Sequence, residues 1–592
     1  LSGNIIIENH KNKSYFSKPL IIIPLFSARM KEIILKYALK NALDFQGKIN
    51  AKAVLGQVLR EHPELRQQVP EALKEIETMA KEVAKLSSSQ IQEKLQKIAP
   101  QLLEKEPVVE GPLKPLPKAV PGKVVLRIAP SPSGPLHIGH AYGVSLNYEY
   151  AKMYNGKLIL RIEDTNPENI YPPAYEMIED DVKWLTGLKE LQVVVQSSRL
   201  GIYYDCAEKL VRQGNAYVCR CDADSWRENK NKGIACPCRD ASLKENQTRY
   251  AQMFSTYAEG EAILRLKTDI KDKNPALRDF GLMRIVQHIH PKIGKEQRVW
   301  PLMVFSVAVD DHELGITHVL NGKDQTDNAI KEKMIMSYLG WKHPEYKHWG
   351  IINFVGFTIS KSETKLAIEK GTYTGWDDIR IPFLQSLRRR GYQPEAFRRF
   401  AIEVGLSLND KTVTMEEFWK MIDSFNRDIV ESKANRYFLV DHPILMALKG
   451  FPAKTISLSL HPDFPERGKR TFEVDGHFYI AEQDFRQLSD GYIHRLMDCA
   501  NFKLDGEQLV YVPGNYEDYK NAEDRGKIIH WLPANKTVKV EAHLNTGVVL
   551  PALGEDGLAR LKVGDIVQLE RNYFARIDEI DKNKVKVWYL HT

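Results

Sequence analysis

Cysteine is scarce. Six thiols in 592 residues cannot staple a chain of this length, which excludes a disulfide-built secreted scaffold. Long apolar runs are missing as well. The longest, Pro19 to Phe26 (PLIIIPLF), is far short of the ~18 residues of a membrane span. No small-residue cleavage site follows it cleanly, so it is a poor signal peptide. Charge of one sign is also lacking. The 84 basic residues exceed the 77 acidic ones by only seven, a balance that permits a nucleic-acid partner without demanding one. No repeat of fixed period and no low-complexity tract is visible. What remains is ordinary globular composition, 43% hydrophobic and 27% charged, which excludes disorder along the whole length. At ~150 residues per domain the length suggests about four domains.

The first methionine is Met30, and an amphipathic helical pattern starts there. Residues 1–29 are read as a doubtful extension, expected to be disordered and dispensable. Residues 30–106 then read as a helical domain: apolar residues recur at three and four, with Ser, Pro and Asn at the breaks. Residues 107–123 (PVVEGPLKPLPKAVPGK) are a linker by composition. After it comes a β-branched run (VVLRIA, 124–129), a Pro/Ser/Gly loop, a helical stretch and a second strand (KLILRIED, 157–164). That is a βαβ unit, the start of a doubly wound parallel sheet. From about 440 to 592 short alternating strands with Gly, Asn and Asp turns suggest β-barrels.

The junction between the first strand and its helix reads Pro135-Leu136-His137-Ile138-Gly139-His140. Gly139 lets a ligand approach the backbone. A helix N-terminus suits phosphate, and imidazoles beside it can donate to charge developing on a phosphoryl group. Ligands of such sheets bind beyond the carboxyl ends of the strands, where Arg127, Glu163 and Asp164 fall. An arginine fork can hold a carboxylate, and a carboxylate can hold an α-ammonium group. Cys219-Arg-Cys221 and Cys236-Pro-Cys238 could surround one tetrahedral zinc ion, with unligated reduced thiols as the alternative. Cys206 and Cys499 are isolated and expected to be buried. Asp310, Asp311 and His312 read as structural or capping residues. Arg388-Arg389-Arg390 could meet backbone phosphate or form a solvated helix face.

RIAPSPSGPLHIGHAYG, with LRIEDTN after it, resembles the HIGH region of class I aminoacyl-tRNA synthetases, in the form of the glutamyl branch. FTISKS, residues 357–362, resembles the KMSKS loop, with Thr358 where its first lysine would stand. GWDDIRIPFLQSLRRRGYQPEAF (375–397) is similar to the archaeal and eukaryotic-type glutamyl and glutaminyl enzymes. The resemblance implies a multidomain chain: an N-terminal α-helical domain and an α/β Rossmann-like class I catalytic domain (124–218 and 301–439, the second part with a helical connector). It also implies an acceptor-binding insertion (219–300) and anticodon-binding β-barrels (440–592). It implies catalysis by His137, Gly139, His140 and Lys361, with Lys365 able to share the task. ATP would be bound by Pro130, His137, His140, Ser360, Lys361 and Ser362, and would be accompanied by Mg²⁺. The amino acid would be held by Arg127, Ala129, Ser131, Glu163 and Asn321. Asn321 departs from the glutamyl pattern, which usually carries Arg there; its side chain can bond a carboxylate or an amide. The expected protein is a cytoplasmic monomer that joins L-glutamate to tRNA(Glu), with tRNA(Gln) open as a second acceptor. A glutaminyl enzyme is the nearest rival. A small-molecule nucleotidylyltransferase, a tRNA-base-modifying relative and a non-catalytic RNA-binding descendant are disfavoured, because none needs both signatures together with ~150 residues of barrel.

Overall fold

The computed structural model describes residues 22–45, 49–102, 113–355, 359–582 and 584–592. The chain divides into two compact units, one ending at Val108 and the other beginning at Val109. The first holds four helices: α1 (Ile22–Asp44), α2 (Ala51–Glu61), α3 (Val69–Val83) and α4 (Ser88–Ile98). Asn50 caps α2, and Ser87 with Gln90 forms a reciprocal capping box on α4, so the orphan N–H groups of both helices find acceptors. Ile34, Tyr37 and Ala38 of α1 pack on Val58 of α2 and Ile76 of α3, while Leu39 and Ala42 pack on Ile91 and Leu95 of α4. Helix α1 thus buries two stripes at helical spacing. It starts at Ile22, ahead of the Met30 boundary expected from the pattern. Residues 1–21 of the expected extension lie outside the described residues.

In the second unit the expected linker is partly packed structure. Leu113 and Leu116 are buried in the core, the Leu116 N–H donates to the Tyr154 hydroxyl at 2.7 Å, and the Pro117 carbonyl meets His318 Nε2 at 2.9 Å. Strand β1 (Val125–Ile128), α5 (Ile138–Met153), β2 (Lys157–Ile162), α6 (Ala174–Thr186) and β3 (Gln192–Val195) build a parallel sheet in the order β1-β2-β3. After α7 (Leu200–Arg212) the chain makes an antiparallel sheet of β4 (Ala216–Cys219), β5 (Ile263–Leu266), β6 (Gly281–Ile285) and β7 (Val299–Pro301), with α8 (Ala223–Lys232) and α9 (Leu243–Met253) between its first two strands. This inserted sheet begins at Ala216, just before the boundary expected at 219.

The chain then resumes parallel structure with α10 (Met303–Glu313), β8 (His318–Gly322), α11 (Thr326–Leu339) and β9 (Glu345–Trp349); β8 pairs with β9. Three hydrogen bonds between Thr317 and Val125 tie the start of β8 to β1. The carboxyl ends of β1, β2 and β8 therefore point to one edge, where ligands of such sheets bind. Beyond it, β10 (Ile352–Val355) pairs with β11 (Lys411–Thr414), among α12 (Lys361–Glu369), α13 (Leu384–Arg390), α14 (Pro394–Val404) and α15 (Met415–Val430).

The C-terminal part consists of two seven-stranded sheets, each closed by one continuous segment, and a separate two-stranded ribbon that pairs Lys454–Ser459 with Lys469–Val474. Residues 435–441 supply both edge strands of one sheet, and residues 525–533 both edge strands of the other. Closure removes the free edges of these two sheets. Barrel structure starts at Asn435, a little before the expected 440.

The triple arginine of α13 is largely spent on joining these parts. Arg390 is buried and donates to the carbonyls of Tyr589 (3.2 Å) and Leu590 (2.6 Å). Arg389 pairs with Asp377 and Asp578 and lies over the Trp588 ring. Only Arg388 of the three is exposed, so a phosphate-binding role for the whole run does not hold. Arg390→Ala is expected to cost on the order of 1–3 kcal/mol for each carbonyl left without a donor, whereas Arg388→Ala stays within about 0.5 kcal/mol of wild type. Chemical denaturation of the full chain checks both.

Candidate active site

The loop before α5 is fixed from three sides. The Leu136 N–H donates to buried Asp181 of α6 at 2.9 Å. The Ile138 N–H donates to the Pro382 carbonyl and the Leu384 N–H to the Leu136 carbonyl, so residues 382–384 run as a short ribbon beside the motif. Phe383 packs edge-on against the His137 ring. The stretch 375–397 and the His137-to-His140 segment, far apart in sequence, are thus one structural element.

Within it the two histidines cap their own helix. The Gly139 N–H donates to His137 Nδ1 at 3.1 Å, and the His137 N–H donates to His140 Nδ1 at 3.3 Å. Accepting at Nδ1 leaves each neutral ring with its proton on Nε2. Burial and the nearby Lys361 ammonium pull His137 down to about 3; burial, His137 and Lys361 hold His140 well below its ordinary value. Both rings are therefore neutral N–H donors at physiological pH. At Gly139 an added Cβ would lie 3.0 Å from the His137 ring, so glycine is what lets the cap form.

Lys361 opens α12, and Ser360 is its N-cap, accepting from the Glu363 N–H. Lys361 Nζ donates to the Gly134 carbonyl at 3.1 Å, and burial lowers its ammonium to about 8. The structure thus brings the SKS segment against the loop that precedes His137. Lys365 faces Glu369 and the Tyr171 ring instead. Phe357 and Thr358 lie outside the described residues.

A cavity of about 410 Å³ opens at the strand ends. It is lined by Arg127, Ala129, Pro130, Ser131, Gly139, His140, Glu163 and Asn321, among others, which brings together all five residues expected around the amino acid. Arg127 is not a free fork. Its Nε and Nη2 donate to Asp311 at 3.1 and 3.2 Å, and it is buried. Asp311 also accepts from Arg161 Nη1 at 2.5 Å, and Arg161 Nη2 reaches Glu163 at 3.0 Å. Asp310 accepts from Arg199, Gln196 and Tyr203. The two aspartates therefore hold the arginines under the cavity floor. His312 stacks on Trp341 and Asp164 is tied to Tyr175 and Ser197. Asn321 Oδ1 accepts from His348 Nδ1 at 2.6 Å, which leaves the Asn321 amide N–H₂ as a donor.

Sequence reasoning missed Asp181, His348 and Glu332, which is buried on the cavity wall. Each works through a partner or a cavity remote in sequence, so no local signal marks it. A second cavity of about 130 Å³ shares Gly139, Asp324 and Trp349 with the first and adds Tyr142, Phe400 and Phe418.

In the inserted sheet the four clustered sulfurs lie within 4.8 Å of one another. Cys219 and Cys236 are buried, 3.7 Å apart, and Cys221 and Cys238 are 3.9 Å apart. A tetrahedral metal with ~2.3 Å sulfur bonds has sulfur–sulfur edges of about 3.8 Å, so the donor set fits such an ion. Cys206 is half-buried, and Cys499 is buried.

A nucleotide-type site at the strand ends of a parallel sheet, followed by closed barrels, defines the class. Residues 123–431 match the family described as class I tRNA synthetases (E and Q), catalytic domain; residues 434–517 and 528–578 match two anticodon-binding domain families of the same enzymes. The chain belongs to the class I (E and Q) tRNA synthetases. It is 40% identical to the glutamate–tRNA ligase of Methanocaldococcus jannaschii, over 95% of this chain and 100% of that one. It is 41% identical to those of Methanobrevibacter smithii and Thermococcus kodakarensis, in each case over 95% of this chain and 99% of the relative.

Proposed function

We propose that this protein is a glutamate–tRNA ligase that activates L-glutamate with ATP and transfers it to the 3′ end of tRNA(Glu). The observation that carries the reading is a pair of neutral Nε2–H donors that cap one helix, of which His140 lines a cavity that reaches Arg127. The glutamate α-carboxylate attacks the α-phosphorus of ATP, pyrophosphate leaves, and a terminal ribose hydroxyl then takes the acyl group from the adenylate. Side chains do little covalent work in such a transfer; positioning and charge stabilisation dominate. His137 and His140 donate to the phosphate oxygens as negative charge shifts onto them. Lys361, at the loop beside them, is the mobile cation for the leaving pyrophosphate, with Ser360 and Ser362 flanking it and Pro130 in the loop wall. ATP brings Mg²⁺, which neutralises its phosphates. The flat aromatic lining of the smaller cavity suits a purine base.

In the larger cavity Glu163 takes the α-ammonium group, and Ala129 and Ser131 line the approach. Arg127, held side-on by Asp311, turns its remaining N–H groups to the side-chain carboxylate, and the Asn321 amide adds a neutral donor. Glutamine as the substrate would offer the remaining Arg127 N–H groups a neutral amide oxygen in place of a carboxylate, a weaker bond than the charge-assisted one. The C-terminal barrels bind the anticodon arm, since splayed bases suit barrel surfaces with aromatic and arginine side chains. On this reading the protein acts in the cytoplasm, as a monomer; among the described residues no helix is long and apolar enough to cross a membrane. Cys219, Cys221, Cys236 and Cys238 hold one structural zinc that fixes the fold of the inserted, acceptor-binding sheet.

Charging of tRNA transcripts with glutamate and with glutamine anticodons, using labelled glutamate and labelled glutamine, tests the reading. Glutamate is expected on tRNA(Glu), whether or not tRNA(Gln) also accepts it; faster transfer of glutamine overturns the assignment. His140→Ala should lower tRNA-dependent ATP–pyrophosphate exchange by roughly 10²-fold with tRNA binding retained, because one transition-state donor is gone. Elemental analysis of protein purified without chelators should find about one zinc per chain, and Cys221→Ser should reduce it.

A further inference from the structure

The floor of the larger cavity is electrically balanced before Glu332 is considered. Arg127, Arg161 and Arg199 face Asp310, Asp311 and Glu163. Glu332, on α11, lines the same cavity with only 4% of its surface exposed. Its Oε2 makes no well-formed hydrogen bond among the described residues; the group that bears on the carboxyl is the buried hydroxyl of Tyr346 on β9, which has no other partner there. A buried oxygen left unpaired is costly, and far more so if it is charged. It is normally completed by something the cavity receives.

We propose that Glu332 is a specificity-determining residue of the amino-acid pocket, present as the neutral acid and donating a hydrogen bond from its carboxyl to the side-chain carboxylate of glutamate. This rests on the reading of the cavity as the glutamate pocket. The charge inventory requires the proton. Glutamate brings one net negative charge to a floor that is already balanced, so an ionised Glu332 would add a second uncompensated negative charge beside the substrate's side-chain carboxylate. Two carboxylates in such a site share one proton. The groups around Glu332 point the same way. Arg127 on β1 and Arg161 on β2 attract its charge, Asp311 on α10 repels it, Glu163 and Asp324 line the same cavity, and Lys333 lies over the Tyr346 ring rather than over the carboxyl. Burial outweighs the arginines and raises Glu332 to about 8, so the acid form prevails at neutral pH and is lost as pH rises through that value. The device sorts substrates by chemistry. A neutral acid donates to a carboxylate, whereas an ionised one accepts from an amide N–H₂. The preference for glutamate over glutamine should therefore narrow as Glu332 ionises.

The test is the KM for glutamate in tRNA charging between pH 6.5 and 9, for the whole protein and for Glu332→Ala and Glu332→Gln, with the KM for ATP followed in parallel. In the wild type the glutamate KM should climb above pH ~8, by up to tenfold per pH unit, as a required proton is lost, while the ATP KM does not follow. Glu332→Ala should raise the glutamate KM by on the order of tenfold or more, the worth of a hydrogen bond to a charged group. Glu332→Gln, which keeps a donor of the same shape, should recover most of that loss and abolish the climb. An unchanged KM in Glu332→Ala, or the same climb in Glu332→Gln as in wild type, overturns the inference alone. Failure of the wild-type protein to charge glutamate at any pH overturns the reading of the site beneath it.

Discussion

Two adjacent carboxylates, Asp310 and Asp311, set the conditions for everything around the cavity. They sit in the last turns of α10, where the exposed carbonyl end of the helix already disfavours negative charge, and both are fully buried. Such a pair is tolerable only if cations and donors satisfy it. Arg127 and Arg161 do so for Asp311, and Arg199, Gln196 and Tyr203 for Asp310. These partners come from β1, β2, the segment leading into α7 and α7 itself, so the cluster welds the first half of the catalytic fold to the half that follows the inserted sheet. The same bonds decide which way Arg127 points, and with it what the cavity can receive.

The side of the site proposed to meet phosphate depends on a different set of polar groups. His137 and His140 satisfy the amide N–H groups that open α5, and in doing so fix their own tautomers. Asp181 and the ribbon at 382–384 hold the loop in place from outside. The signature residues therefore arrive preorganised as donors, with no rearrangement needed when charge develops. Lys361 is drawn against the Gly134 carbonyl and partly desolvated; on the proposed reading, phosphate replaces that carbonyl as its partner.

Much of this was legible in the residues. Local patterns announced the βαβ unit, the paired histidines around Gly139, the cysteine cluster and the alternating strands of the barrels, because each is encoded within a few neighbours. What escaped depends on long-range pairing. Arg127 reads as an open fork until Asp311, 184 residues away, is seen across it. Arg389 and Arg390 read as a basic patch until the barrel carbonyls and Asp578 close over them. The linker reads as free chain by its prolines, yet Leu113 and Leu116 are buried beside Tyr154. Glu332 sits in a helix without a marked apolar face, and only the cavity wall gives it meaning. Barrel closure through residues 435–441 and 525–533 is likewise a property of pairing and not of composition.

The most direct test of the central role given to the aspartate–arginine cluster is the affinity for glutamate, measured by calorimetry on the whole protein and on Asp311→Asn, with ATP affinity as the internal reference. Asparagine keeps the shape but removes the charge that turns Arg127 and Arg161 side-on. If the cluster sets the pocket, glutamate affinity falls by roughly tenfold or more while ATP affinity stays put. Equal glutamate affinity in a folded Asp311→Asn protein would contradict it.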